Sequence, residues 1–160
     1  DQIQQSLDKD HKEIIKDEII NFFINKTKLE APISMIDRYL EHIKEDLKNR
    51  KQAVSDNDLK NNYLSQTEKN IKWYLIKSIL VDKEQVSVTD KDVNNKVSDL
   101  ISENKENKKQ IETYYKQTEN KQRLYDEMLN EILFNKLIQN TKINIIEKST
   151  KELREKNQVK

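Results

Sequence analysis

Glycine is missing from all 160 residues, and proline occurs once, at Pro32. Average usage would place roughly 11 glycines and 8 prolines in a chain of this length. Glycine ordinarily supplies the positive φ of hairpin turns and bulges, and of loops that approach a phosphate closely. Its absence argues against β-hairpin folds, against P-loop and dinucleotide cradles, and against most enzyme active-site loops. Cysteine is absent too, which removes disulfides and thiolate metal sites. No apolar run reaches the roughly 18 residues of a membrane-spanning helix, so no membrane partner is expected. There is no basic-then-apolar leader, and the chain opens at Asp1 inside a helical pattern, as expected of a processed chain or an excised piece.

What remains is charge and branched aliphatics. Hydrophobic residues make up 34% and charged residues 37%, too thin a supply for one large globular core. Amphipathic helices packed in pairs and triplets suit it better, since each needs only one apolar stripe. Thirty basic residues offset 29 acidic ones, for a net charge of +1, with Lys and Glu interspersed. A nucleic-acid binder usually concentrates basic excess on one element, so no nucleic-acid partner is expected. The apolar set holds 19 Ile and 14 Leu but only Ala31 and Ala53 as alanines. Ile is a middling helix former and Ala the best, so tertiary burial of Ile stripes must hold these helices.

Ile3, Leu7, Ile14, Ile15, Ile19, Phe22 and Phe23 recur by threes and fours and predict an amphipathic helix to about Lys26. Pro32 suits the first position of a second helix, because its missing N–H would be unpaired there anyway. Ile33, Ile36, Leu40, Ile43 and Leu47 then follow the spacing of about 3.5 residues that marks a helix seated on a partner helix, to about Gln52. Ser55 with Asp58 predicts an N-cap opening a short helix through Leu64, and Ser65 with Glu68 a second cap opening another. That next helix carries the stripes Ile71–Leu75–Ile79 and Trp73–Ile76–Leu80, which makes residues 67–84 the expected most buried element. Val86-Ser87-Val88 reads as an extended connector, and Thr89 with Asp92 as a third cap. A polar loop is expected over Ser102–Lys109, then a short helix with Ile111, Tyr114 and Tyr115. A long helix follows from about Glu119 to Asn140, carrying Leu124, Met128, Leu129, Ile132, Leu133 and Leu137. Thr141–Ile146 reads as extended, with Ile143, Ile145 and Ile146 seeking cover, and the tail beyond as frayed or helical.

Nothing in this pattern is catalytic. His11 and His42 fall on separate predicted helices and read as surface residues. Neighbouring acids such as Asp17 and Glu18 diverge by about 100° on a helix and cannot share a metal. The serines lack a glycine-flanked elbow. No enzyme, cofactor or metal site is expected. Tyr39, Tyr63, Tyr74, Tyr114, Tyr115 and Tyr125 are spread over the predicted helices, several off the main stripes. They serve either to pack with wet hydroxyls or to line an apolar groove for a partner.

The succession Leu29-Glu30-Ala31-Pro32-Ile33, Glu68-Lys69-Asn70-Ile71-Lys72-Trp73-Tyr74, Val86-Ser87-Val88-Thr89-Asp90, Ile111-Glu112-Thr113-Tyr114-Tyr115 and Leu137-Ile138-Gln139-Asn140 resembles the C-terminal, substrate-binding domain of the trigger factor family, ribosome-associated bacterial chaperones. The resemblance runs from about Leu7 to Ile146. It implies an all-α fold, an elongated multi-helix domain with protruding helical arms over residues 1–146, followed by a tail over 147–160.

It also implies a cytoplasmic, ATP-independent chaperone module that cradles unfolded or nascent polypeptides. The family's isomerase domain and ribosome-docking loop are not in this sequence. Isomerase activity is therefore not expected here, and the ribosome would be reached only through other parts of a parent protein. Tyr114 falls at an aromatic position of the family's client-binding surface, with Tyr115 beside it. Ile36, Tyr39, Leu40 and Ile43 on the first arm helix come next, although the same regular seam would serve arm-to-arm packing. A homodimer through the arms is left open. Two other readings stand beside this one: the chaperone core of a periplasmic parvulin-type isomerase, and a helical spacer without clients. The spacer predicts Tyr114 and Tyr115 buried and no exposed apolar groove.

Overall fold

The computed structural model describes residues 2–52 and 54–142, with the side chains of residues 2–8 excepted. Six α-helices follow one another: α1 (Gln2–Lys26), α2 (Ile33–Asn49), α3 (Asp56–Lys83), α4 (Asp90–Glu103), α5 (Lys108–Tyr115) and α6 (Thr118–Gln139). A 3₁₀ turn at Lys105–Asn107 joins α4 to α5, and no strand occurs among the described residues. The all-α expectation therefore holds. The extended reading of Ile143–Ile146, the tail over 147–160, and the Ile3 and Leu7 side chains lie outside what is described.

Three apolar clusters divide the molecule. In the first, Ile36 and Leu40 of α2 are buried against Leu59 and Ile71 of α3, with Ile43, Leu47, Tyr63 and Leu64 packed around them. This makes α2 and the first half of α3 a helical hairpin, whose closed end is clasped by Lys44 Nζ donating to Asp56 Oδ1 at 2.7 Å. The second cluster joins α1, the second half of α3 and the end of α6 through Ile19, Ile76, Leu80, Leu133, Phe134 and Leu137, with Val86 from the connector. The third joins Val88, Val93 of α4 and Leu124 of α6, with Val97, Tyr115, Tyr125 and Met128 against them. Two long helices thus each serve two clusters. At a rise of about 1.5 Å per residue, α3 is roughly 42 Å long, enough to reach from the hairpin into the centre. The two limbs flanking the central cluster, α2 with early α3 and α4–α5 with early α6, correspond to the expected arms.

Several boundaries differ from expectation. Pro32 is the N-cap of α2 and not its first helical residue; its carbonyl accepts from the Met35 and Ile36 amides. The second cap at Ser65 does not form, and α3 runs unbroken through it. A Ser N-cap needs extended backbone, but Leu59, Tyr63, Leu64, Thr67 and Ile71 form one continuous stripe against α2, and its burial keeps the segment helical. Ser55 and Thr89 cap as expected, the latter with a full capping box to Asp92. The loop expected over Ser102–Lys109 is mostly helical: α4 extends to Glu103, and the Asn104 side chain donates back to the Leu100 carbonyl at 3.0 Å before the 3₁₀ turn. Residues 67–84 share deepest burial with α6, where Leu133 is fully enclosed. On the second half of α3, Ile79 and Tyr74 face outward.

The lack of glycine has a local consequence. Both α2 and α3 end in Schellman motifs, in which a residue in left-handed conformation follows the C-cap. Lys51 (φ 59°) and Gln85 (φ 52°) fill those positions. In the first, the Lys51 amide donates to the Lys48 carbonyl and the Gln52 amide to that of Leu47; in the second, Gln85 donates to Asp82 and Val86 to Val81. The apolar contact that usually accompanies the motif is present in the second, where Val81 and Val86 belong to the same cluster.

Candidate binding surface

The sequence-nominated residues fall into two groups, on different limbs and in different clusters. Tyr114 and Tyr115 end the short helix α5, their rings edge-on at 5.0 Å and 90°. Adjacent residues on a helix point about 100° apart, so one ring turns inward and the other outward. Tyr115 packs into the third cluster against Val93 and Leu124; burial pushes its hydroxyl pKa up, with Tyr114 and Glu127 adding to the effect. Tyr114 remains 50% exposed. It stands between two depressions, one of 490 Å³ bounded by Leu100, Asn104, Ile111 and Tyr115 and a second bounded by Lys109, Thr113 and Gln117.

The turn that presents Tyr114 is held from α6. Asn120 is buried in the first turn of that helix, and its side-chain amide donates to the Tyr114 carbonyl at 2.8 Å and to Gln117 Oε1 at 3.0 Å. An asparagine that satisfies the end of one helix from the start of the next fixes the angle between them. Sequence reasoning passed over Asn120, because nothing in its spacing distinguishes it from its exposed neighbours.

On α2 the outcome is divided. Ile36 and Leu40 are buried in the seam with α3, Ile43 is half-buried beside them, and only Tyr39 of this group stays exposed, its hydroxyl accepting weakly from Asn70 Nδ2 at 3.5 Å. In this conformation the regular stripe joins the limbs of the hairpin. Ile33, at the start of α2, is the most exposed large aliphatic side chain among the described residues, and Tyr74 and Ile79 add outward apolar surface on α3.

An unforeseen site lies on α1. Its predicted single face proves to be two: Ile15, Ile19, Ile20, Phe23 and Ile24 turn into the central cluster, while Ile14 and Phe22 remain 58% and 56% exposed. They line a groove with the end of α6. Phe134, likewise absent from the predicted stripe of α6, proves central to the core beneath it.

His11 and His42 are exposed on α1 and α2, and the described residues contain no group of three or more His, Cys, Asp or Glu able to hold a metal ion. No described helix is long and apolar enough to cross a membrane. The geometry offers separated apolar contacts on a charged surface.

Comparison with known proteins bears on the family to which the chain belongs. The family described as bacterial trigger factor protein (TF) C-terminus matches residues 1–140. A trigger factor of Geobacter metallireducens is 23% identical over 144 residues, covering 84% of this chain and 33% of that protein. One from Geobacter sulfurreducens is 23% identical over 130 residues, covering 73% of the chain and 30% of the relative. The chain thus spans about a third of the length of the curated relatives it matches. No solved structure matches it. With nearly its whole length aligned to that C-terminal region, the chain belongs to the trigger factor family.

Proposed function

We propose that this chain is an ATP-independent chaperone module that holds unfolded or nascent polypeptides through dispersed apolar contacts in the cytoplasm, with no isomerase chemistry of its own. The observation that carries the reading is Tyr114, half-exposed between two depressions while Tyr115 anchors it from the core. An aromatic body with a polar tip supplies contact area to many side-chain shapes at small ordering cost. Tyr39 and Ile33 on the hairpin limb, with Tyr74 and Ile79 on the second half of α3, offer further contacts, and a client spanning both limbs would touch several at once. Burial is worth about 25 cal/mol per Å² before ordering costs, so each contact is weak and the sum reversible. Ile36, Leu40 and Ile43 would join the client surface only if the hairpin opened.

The exposure of Tyr114 favours this reading over a helical spacer, and the trigger factor match favours it over a periplasmic isomerase core. The test is light scattering from a chemically denatured, aggregation-prone protein diluted into this chain. Suppression at several-fold excess, weakened by Tyr114→Ser, is expected. No suppression removes the holdase function from the isolated chain, and equal suppression by Tyr114→Ser removes Tyr114 from its surface.

A further inference from the structure

Gln110 and Tyr114 are four residues apart on α5 and therefore stand on one face of it. Both border both of the depressions beside Tyr114, so together they form the ridge between them. The two sides of that ridge differ in chemistry. In the depression of 490 Å³, Leu100, Ile111 and Tyr115 supply an apolar lining, and its polar members are uncharged. In the other, of 470 Å³, Thr113 and Gln117 face the ridge, and Lys109 is the only charged member among the described residues. The neighbouring Lys108 lies 3.8 Å from Glu112, one turn along α5, whereas Lys109 pairs with no carboxylate among the described residues.

Side chains two apart on an extended chain point the same way and are separated by about 7 Å. An extended peptide crossing the ridge thus places alternate side chains in the two depressions. Its backbone then passes over Gln110, whose exposed amide can donate to and accept from unpaired peptide groups. The uncharged side suits an apolar side chain, and the Lys109 side suits a carboxylate. We propose that the Tyr114 surface selects extended segments carrying an apolar and an acidic residue two positions apart, in either chain direction. The apolar residue sits against Leu100 and Ile111, and the acidic one against Lys109. This selection rests on Tyr114 being part of the client surface and adds a charge preference to it. An exposed ion pair is weak, so the preference is loose enough for many sequences to be held.

The test is fluorescence anisotropy of short labelled peptides, otherwise serine and glutamine, titrated with the full chain. The better binder of Leu-Ser-Glu and its reverse should bind about threefold or more tightly than the same peptide with Lys in place of Glu. It should also bind more tightly than the adjacent arrangement Leu-Glu-Ser, whose two side chains point to opposite faces. The preference for Glu should shrink as added salt screens the pair. Lys109 is exposed, so Lys109→Gln should fold as the parent does and remove that preference, and Lys109→Glu should reverse it, with circular dichroism checking both folds. Equal binding of the Glu and Lys peptides, a preference that survives Lys109→Glu, or equal binding of the adjacent arrangement overturns the proposal. Aggregation suppression by a chain that binds none of these peptides overturns it and leaves the holdase reading standing. A preference that depends on Lys109, without suppression, upholds it and removes the holdase reading.

Discussion

The indole of Trp73 lies against the ring of Phe134, centroids 5.8 Å apart and planes inclined by 31°, at the point where α3 and α6 cross the central cluster. Lys16 Nζ sits 5.9 Å from the centroid of the same Phe134 ring, bringing in α1. One aromatic side chain therefore touches the two other helices of the core.

Removing it should be costly. Phe134→Ala is expected to lower stability by about 3–5 kcal/mol, the usual range for a buried aromatic truncated to Ala. Trp73 is the only tryptophan, so urea unfolding followed by its fluorescence reads the effect directly. A loss below about 1 kcal/mol would show that the crossing is not a packed core.

Thr67 is 1% exposed in the seam between α2 and α3, and its hydroxyl finds no partner among the described residues. Valine has nearly the same shape without the stranded oxygen. Thr67→Val should therefore raise stability by about 1 kcal/mol, read as a higher denaturation midpoint, because a buried polar group without a hydrogen bond carries an uncompensated desolvation cost. A drop would mean that the hydroxyl is satisfied.

Gln85 holds a left-handed conformation that costs a residue with a Cβ about 1 kcal/mol. Gln85→Gly is expected to stabilise the fold by up to that amount, offset in part by the greater freedom glycine has when unfolded. Lys51→Gly is the parallel case. Thermal melts of both variants test the idea, which fails if each lowers the melting temperature.

The capping box at the start of α4 makes a pH prediction. The Thr89 hydroxyl donates to Asp92 Oδ2 at 2.6 Å and the Thr89 amide at 2.8 Å, and these bonds hold the Asp92 carboxyl below the usual range. A depressed native value means that its stabilisation is present above the unfolded pKa of about 4 and is lost as pH falls through the lower native value. Asp92→Asn should thus be less stable than the parent at neutral pH, with the difference shrinking below about pH 4. A difference that stays constant on acidification would refute the assignment.

Asn120→Ala breaks the two bonds that tie α6 to the end of α5 and leaves the Tyr114 carbonyl without that donor. A destabilisation of about 1–3 kcal/mol is expected, with aggregation suppression falling at concentrations where circular dichroism still shows a folded chain. Suppression unchanged in the folded variant would mean that the setting of Tyr114 is irrelevant to client holding.

Much of this architecture was readable in order of residues. The Ile36–Leu47 stripe, the caps at Ser55 and Thr89, the Val86–Val88 connector and the long final helix are all local signals, and each formed, while Ile33 at the head of the predicted stripe stays exposed. The cap at Ser65 was equally strong on paper and lost, because a cap is worth about 1 kcal/mol while breaking the helix there would uncover the stripe from Leu59 to Ile71. Tyr114 was nominated through the resemblance alone, and Asn120 not at all, since its hydrogen bonds reach the end of a different helix.

Composition and periodicity by themselves determined that this chain would be helical, thinly cored and without a glycine-built pocket. All three follow from what each residue does within a turn or two of its own helix. Only the tertiary structure decided which flank of α1 is covered, that Ile36 and Leu40 serve the hairpin, and that Tyr115 is anchored while Tyr114 stands free. Those are questions of which surfaces meet, and a helical stripe shows that a face wants burial without naming what will bury it.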